Sequence, residues 1–131
     1  MSNTEPVRAL YAAFAKGDMA AALATMTADI TWNEAANSPY ADHNPYVGPD
    51  AVLNGVFARI GADWEGFAAV PDEIIDGGDT VVALGHYSGA YKATGKPMRA
   101  QFAHVFRVKN GKIAAFQQYA DTLGTAQAMQ R

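Results

Sequence analysis

The sequence of 131 residues contains no cysteine. Disulfide bridges, thiol nucleophiles and thiolate metal sites are therefore excluded. The 10 Lys and Arg residues form no cluster and are outnumbered by 13 Asp and Glu, so we do not expect a nucleic-acid partner. Apolar runs are too short for a signal peptide or a membrane span, so we expect a cytoplasmic location and no membrane partner.

Sequence motifs for common cofactors and metals are also missing. There is no dinucleotide glycine fingerprint, phosphate loop or G-x-S-x-G elbow. The three histidines, His43, His86 and His104, show neither H-x-H nor H-E-x-x-H spacing. We therefore expect no cofactor and no metal ion.

The first half of the sequence has helical spacing and the second half has strand spacing. Apolar residues recur at helical intervals over 4–17, 18–26 and 49–61, with a short strand over 28–34. Alternating runs follow over 67–75, 80–91, 98–108 and 112–120. The length fits one domain over 1–131, and half of the residues are hydrophobic, enough for a packed core. This order predicts an α+β fold with three helices packed on a curved antiparallel sheet.

The segment from 102 to 121 predicts a β-hairpin with polar groups on an apolar face. Asn110-Gly111 is a typical two-residue turn, because both positions need positive φ. If Lys109 pairs with Lys112 and the pairing continues without interruption, His104 lies opposite Gln117. One face then carries Phe102, His104, Phe106, Val108, Ile113, Ala115, Gln117, Tyr119 and Asp121. Burying so many polar groups in an ordinary core would be costly, so the pattern indicates a pocket.

Several segments resemble the superfamily of ketosteroid isomerase, nuclear transport factor 2 and SnoaL-like polyketide cyclases. They are AKGDMAAALATMTADITW (15–32), YVGPDAV (46–52), DGGDTVVALG (76–85), ATGKPMRAQFAHVFRVKNGKI (93–113) and QQYADT (117–122). The resemblance is closest to the SnoaL-like branch. It implies a cone-shaped α+β barrel, a deep apolar pocket for a small apolar molecule, and a homodimer.

The same resemblance suggests roles for individual residues. His104 stands where ketosteroid isomerases have a protonated acid that binds the oxyanion, and Glu34 stands near their proton-abstracting aspartate. Leu10 occupies the place of their oxyanion tyrosine; the neighbouring Tyr11 is turned by about 100° on the helix. SnoaL-like cyclases have a histidine and an acid–base aspartate in positions similar to His104 and Asp121.

These residues predict a cofactor-independent acid–base enzyme acting on a small apolar carbonyl compound, of the isomerase, cyclase or dehydratase type. Asp121 or Glu34 would take the proton, and His104 would stabilise the enolate. Structural alternatives stay open for each: a helix cap for Asp121, a solvated strand end for Glu34, and a core histidine satisfied by Gln117 or Tyr119 for His104.

The other candidate site residues are predicted to contact the ligand. They are Trp32, Tyr40, His43, Tyr46, Phe102, Gln117 and Tyr119; three of them lie in the loop 35–48, which could close over the pocket or only cover the core rim. Two alternative functions remain. One is a non-catalytic binding or association module, and the other is an epoxide hydrolase-like enzyme in which Asp121 activates water, although Arg99 should point away from Asp121.

Overall fold

The computed structural model of the chain describes residues 2–131. Within this range, helices come first and a strand meander follows, which confirms the α+β class. The α-helices are α1 (Thr4–Lys16), α2 (Met19–Leu23), α3 (Pro49–Val52), α4 (Ala58–Asp63) and α5 (Thr122–Met129). The strands are β1 (Met26–Asn33), β2 (Tyr46–Val47), β3 (Trp64–Gly77), β4 (Thr80–Tyr91), β5 (Pro97–Lys109) and β6 (Lys112–Ala120).

Local sequence signals set the junction between the first two helices. Gly17 ends α1 with a left-handed φ of 71°, a conformation that glycine adopts without steric cost. The Asp18 side chain then accepts a hydrogen bond from the backbone N–H of Ala21 and starts α2. The apolar face of α1 packs on the inner face of the sheet, as its spacing predicts.

The predicted third helix contains a π-helical turn. α3 runs through this turn, Leu53–Phe57, directly into α4. A Cβ atom on Gly55 would lie 2.2 Å from Cε1 of Tyr46. The glycine that weakens the helix by propensity therefore lets the Tyr46 ring pack against the helix backbone.

The six strands form one curved sheet in the order β2-β1-β6-β5-β4-β3, which does not close into a complete barrel. Neighbouring strands are antiparallel except β1 and β6, which are parallel. This pair departs from the wholly antiparallel sheet that the sequence predicts. β1 covers the edge of β6 that lies outside its hairpin with β5, and the two strands are far apart in the chain, so no tight turn forces them to be antiparallel. Gly85 pairs with Pro71 beside a register shift in β3, and a Cβ there would lie 2.0 Å from the carbonyl oxygen of Val70.

A β-bulge in the β5–β6 hairpin decides which side chains face the core. The turn forms as predicted, with φ of 53° at Asn110 and 77° at Gly111. Val108 pairs with Ile113, but Arg107 pairs with Ala115, so Ala114 is the extra residue. Since side chains alternate along a strand, one extra residue reverses the facing of everything beyond it.

The core lies between the inner face of the sheet and the helices. Its largest fully buried side chains are Phe106, Ile30, Ile113, Val7, Val52, Val56 and Val81. Among the described helices, none has the length and apolarity needed to cross a bilayer.

Candidate functional site

A cavity lies inside the core, between the sheet and the helices α1 and α4. Its volume, measured as the space that the centre of a water molecule can occupy, is about 80 Å³. By the same measure, one water molecule needs roughly 10–15 Å³. The cavity therefore suits a compact ligand. Its lining is Leu10, Tyr11, Phe14, Trp32, Glu34, Ser38, Tyr40, Val56, Phe57, Ile60, Trp64, Phe67, Ala69, Tyr87, Met98, His104, Phe106, Phe116, Gln118, Ala120, Thr122 and Thr125.

Glu34 follows β1 and is a buried carboxylate on the cavity wall, with 4% of its surface exposed. Its Oε2 accepts a hydrogen bond of 3.1 Å from the indole N–H of Trp32. Asn44 holds the Glu34 backbone through two hydrogen bonds, accepting from its N–H and donating to its carbonyl. Burial raises the Glu34 pKa from 4.5 to about 7, although the Trp32 hydrogen bond opposes this rise. Glu34 can therefore both gain and lose a proton near neutral pH.

His104 lies on β5 between two tyrosine hydroxyls. Its Nδ1 and the Tyr11 hydroxyl are 2.5 Å apart, and its Nε2 is hydrogen-bonded to the Tyr87 hydroxyl. Phe102 stacks on the imidazole with ring centroids 3.8 Å apart. Burial lowers the His104 pKa to about 3, so the imidazole is neutral in the folded protein at ordinary pH. Burial also raises the pKa of both tyrosines, which therefore keep their protons.

Gln118 connects this cluster to the segment that follows Glu34. Its Oε1 accepts a hydrogen bond of 2.9 Å from the backbone N–H of Ala35, and its Nε2 donates one of 2.9 Å to the Tyr87 hydroxyl. The Gln118 side chain is buried and lines the cavity. The Gln118 amide thus fixes the segment next to Glu34 and the Tyr87–His104–Tyr11 cluster relative to each other.

The aromatic wall of the cavity is itself held in place by packing and hydrogen bonds. Trp32 stacks on Phe116 with centroids 3.8 Å apart. The Tyr40 hydroxyl donates to Asp63 at 2.8 Å and accepts from the Trp64 indole at 3.0 Å. The polar atoms of these rings are therefore satisfied, and the rings give the cavity an apolar wall.

The loop 35–48 contributes less to the cavity than the sequence suggests. Of its predicted ligand contacts, only Tyr40 lines the cavity. The prediction for His43 is wrong, because its side chain is 74% exposed. Tyr46 is buried but packs against Gly55 outside the cavity, and its hydroxyl donates to the Tyr40 carbonyl. The loop is tied to α4 by two hydrogen bonds of 2.8 and 2.9 Å from Arg59 to Asp42, whose carboxyl pKa falls to about 2 beside the guanidinium.

The bulge at Ala114 corrects three predicted positions on β6 and just after it. Gln117 lies opposite Val105 instead of His104, and Tyr119 is 58% exposed. Asp121 is exposed and outside the cavity; its side chain accepts a hydrogen bond of 2.9 Å from Gly124 N–H and starts α5. Asp121 therefore caps a helix, which is the structural alternative that the sequence left open for it. The epoxide hydrolase-like alternative required Asp121 to activate water in the cavity, and Asp121 does not line it.

Other predicted residues lie where the sequence placed them, and several important ones were missed. Trp32, Glu34 and His104 line the cavity; Phe102 faces inward but supports the imidazole from behind. The missed residues that line it include Tyr11, Tyr87 and Gln118. Tyr11 was detectable, since it follows the inward helical spacing of α1, as was Tyr87, which alternates with the buried Val81 and Ala83 on β4.

A family model for the SnoaL-like domain matches residues 7–116. The chain belongs to the SnoaL-like family. An NTF2-like protein from Burkholderia thailandensis E264 is 41% identical, with coverage of 100% of this chain and 99% of that one and a TM-score of 0.95. No curated protein matches this SnoaL-like chain significantly.

More distant solved structures share the fold of this SnoaL-like protein. IdmH, a proposed polyketide cyclase from Streptomyces antibioticus, is 19% identical over 98% of this chain and 99% of its own, with a TM-score of 0.82. A protein of ketosteroid isomerase-like fold from Catenulispora acidiphila DSM 44928, in complex with trimethylamine, is 24% identical over 97% of this chain and 94% of its own, with a TM-score of 0.80.

Within residues 2–131, no three His, Asp or Glu side chains are grouped so that they could hold a metal ion.

Proposed function

We propose that the protein is a cofactor-independent acid–base enzyme that removes a proton next to the carbonyl group of a small apolar compound. The observation that carries this proposal is the buried carboxylate of Glu34, which shares one apolar cavity with the Tyr11–His104–Tyr87 cluster. A base and hydrogen-bond donors on the same cavity are what enolisation requires.

Glu34 is the proposed base. A general base works best when its pKa is near the working pH, and burial brings the Glu34 pKa to about 7. Its hydrogen-bonded Oε2 is fixed by Trp32, which orients the carboxylate within the cavity. We expect activity to rise with pH as Glu34 ionises, with a midpoint near 7.

Tyr11 is the proposed donor to the carbonyl oxygen. His104 is neutral, so it lends no positive charge, and the stabilisation of an enolate has to come from hydrogen bonds. Tyr11 lines the cavity, and its hydroxyl is hydrogen-bonded to Nδ1 of His104. Tyr11, which was expected to point away from the oxyanion position, therefore takes the role that the sequence assigned to His104.

The reaction is balanced without any co-reactant. The Glu34 carboxylate takes the α-proton, the electrons of the C–H bond move into the enolate, and its oxygen accepts a hydrogen bond from Tyr11. Where a C=C bond adjoins the enolate, return of the proton from Glu34 to the far carbon of the dienolate gives isomerisation. Attack of the enolate on a second carbonyl of the same molecule gives cyclisation, and the proton on Glu34 then passes to the new alkoxide oxygen. Membership of the SnoaL-like family and the shared fold of a proposed polyketide cyclase support this class of chemistry.

Hydrogen–deuterium exchange into small ketones, followed by NMR in deuterated water, tests the proposal. The wild-type protein should speed exchange at the α-carbon, and Glu34→Gln should abolish this. Tyr11→Phe should reduce kcat by about 10²–10³-fold, the usual effect of losing one oxyanion donor. Asp121→Asn is the matched control: it removes a carboxylate outside the cavity while keeping a good helix cap, so activity should persist. Equal activity of Glu34→Gln and wild type would refute the proposal.

A non-catalytic binding module is the second candidate, and one observation favours it. A carboxylate among aromatic rings suits a small alkylammonium ion, which would pair with Glu34 and contact the Trp32 and Trp64 rings that line the cavity. The neighbour in complex with trimethylamine supports this ligand class. Calorimetry with trimethylammonium, wild type against Glu34→Gln, would reveal such binding; with no ketone exchange detected, it would favour this second candidate.

The homodimer stays a prediction. The outer face of the sheet exposes apolar side chains, among them Val70, Leu84 and Tyr119, which supports an association surface there. Light scattering of the purified protein would test it, and a monomer at high concentration would contradict it.

A further inference from the structure

The hydrogen bonds around His104 form a single chain whose direction is fixed at one end. It runs from the backbone N–H of Ala35 through Gln118, Tyr87 and His104 to Tyr11. A backbone N–H can only donate, so the atom of Gln118 that it contacts is the carbonyl oxygen. The other end of the amide is therefore an NH₂ group, and it donates to the Tyr87 oxygen.

The amide orientation sets the hydrogen bond that Tyr87 makes. Tyr87 has one proton to donate, and within residues 2–131 the only acceptor found for it is Nε2 of His104. If Tyr87 instead accepted from both Gln118 and His104, the two incoming donors would occupy both in-plane positions of its phenol oxygen and force its own proton out of the ring plane. The Tyr11 oxygen has His104 as its single partner within residues 2–131, so it can accept from His104 and keep its proton in the ring plane. Tyr87 therefore donates, and Nε2 of His104 is an acceptor.

The remaining proton of the imidazole must then be on Nδ1. A neutral histidine carries a proton on one nitrogen only, and burial keeps His104 neutral. With Nε2 as acceptor, Nδ1–H donates to the Tyr11 oxygen. Tyr11 consequently accepts a hydrogen bond from His104, and its own proton is not used in that bond. In the opposite tautomer Tyr11 would donate its proton to the unprotonated Nδ1.

We propose that Gln118 is a positioning residue: by fixing His104 in the Nδ1–H tautomer through Tyr87, it leaves the Tyr11 hydroxyl proton free for an oxygen atom in the cavity. The inference rests on the proposed function for the identity of that oxygen, which is the carbonyl oxygen of the substrate. The direction of the hydrogen bonds from Ala35 to Tyr11 does not depend on the proposed function. Gln118 lines the cavity, but its proposed effect on the Tyr11 proton passes through the Tyr87 and His104 side chains.

The tautomer can be read directly from long-range ¹H–¹⁵N correlation spectra of the imidazole rings. His104 is identified among the three histidines because its pKa of about 3 keeps it neutral through mildly acidic solutions. We expect the wild-type protein to carry the proton on Nδ1 alone. A proton on Nε2 would overturn the inference whatever the variants do.

Substitutions of two neighbouring glutamines distinguish a positioning role of Gln118 from a purely structural one. Gln118→Met keeps the size of the side chain but removes the amide, so Tyr87 is no longer forced to donate and both tautomers should be populated. Gln117→Met is the matched control, since this neighbour lies on the other side of β6 and should leave the Nδ1–H tautomer intact. A single Nδ1–H tautomer in folded Gln118→Met would overturn the role of Gln118. If Gln118→Met does not fold, Tyr87→Phe removes the donor to Nε2 and should likewise mix the tautomers.

The result is independent of whether catalysis is found. Exchange that depends on Glu34, combined with a wild-type proton on Nε2, would refute only this inference. A proton on Nδ1 without any ketone exchange would refute only the proposed function.

Discussion

Glu34 makes a sharp prediction about stability as a function of pH. Its pKa is 4.5 in an exposed chain and about 7 in the folded protein, so the folded state binds an extra proton between these values. The stabilisation that this proton provides is complete below pH 4.5 and is lost as the pH rises through 7. Above that pH, the fold has to accommodate a buried charge to which, among residues 2–131, only the neutral Trp32 indole donates a hydrogen bond.

The magnitude follows from the difference between the two pKa values. The folded value lies about 2.5 above the unfolded one, and each pKa unit corresponds to about 1.4 kcal/mol. Glu34→Gln keeps an oxygen that can accept from Trp32 but carries no charge. The free energy of unfolding of Glu34→Gln relative to wild type should therefore grow by about 3–4 kcal/mol between acidic and mildly alkaline solution.

Urea unfolding of both proteins over a pH series measures this difference. His104 also destabilises the fold in acid, because its folded pKa of about 3 is far below the unfolded value of 6.5. It is present in both proteins, so its effect cancels. Glu73→Gln on the outer face is the control and should stay within about 0.5 kcal/mol of wild type. A difference for Glu34→Gln that does not change with pH would show that Glu34 is hydrated, and the argument for its role as a tuned base would fail.

Two further predictions compare residues of the same type in different settings. Phe102→Ala should destabilise the protein by about 3–5 kcal/mol because the ring is buried; Tyr119→Ala, on the exposed face, should change the unfolding free energy much less, and equal losses would contradict the observed strand faces. Gly61→Ala should stabilise α4 by about 0.5–1 kcal/mol, since nothing lies within 4 Å of its Cβ. Gly55→Ala should instead lower the melting temperature because its Cβ would collide with the Tyr46 ring; a rise in both variants would be inconsistent with that contact.

Much of the fold could be predicted because its signals are local. Gly17, Asp18 and the Asn110-Gly111 turn act through the backbone conformation of one or two residues, and each forms as expected. The ranges of β4 and β6 also agree with the alternation of the sequence. Such features need no knowledge of distant parts of the chain.

The site was harder to predict because one extra residue on β6 reverses its faces. Strict alternation from Ile113 places Gln117 and Asp121 inside; the bulge at Ala114 places Phe116 and Gln118 there instead. The spacing of Ile113 and Phe116 was the available signal, since alternation would have pointed the large Phe116 ring outward. Two adjacent alanines gave no indication of where the pairing would slip.

The sequence by itself determined the order of helices and strands, the turns between them, and an apolar face that includes His104. Only the tertiary structure decided that Glu34, rather than Asp121, is the carboxylate inside the cavity, and that Tyr11 reaches His104. Local chemistry specifies backbone conformation, but which polar groups meet depends on strand register and on the packing of α1 over the sheet. Those depend on contacts between residues far apart in the chain, such as Tyr11 and His104.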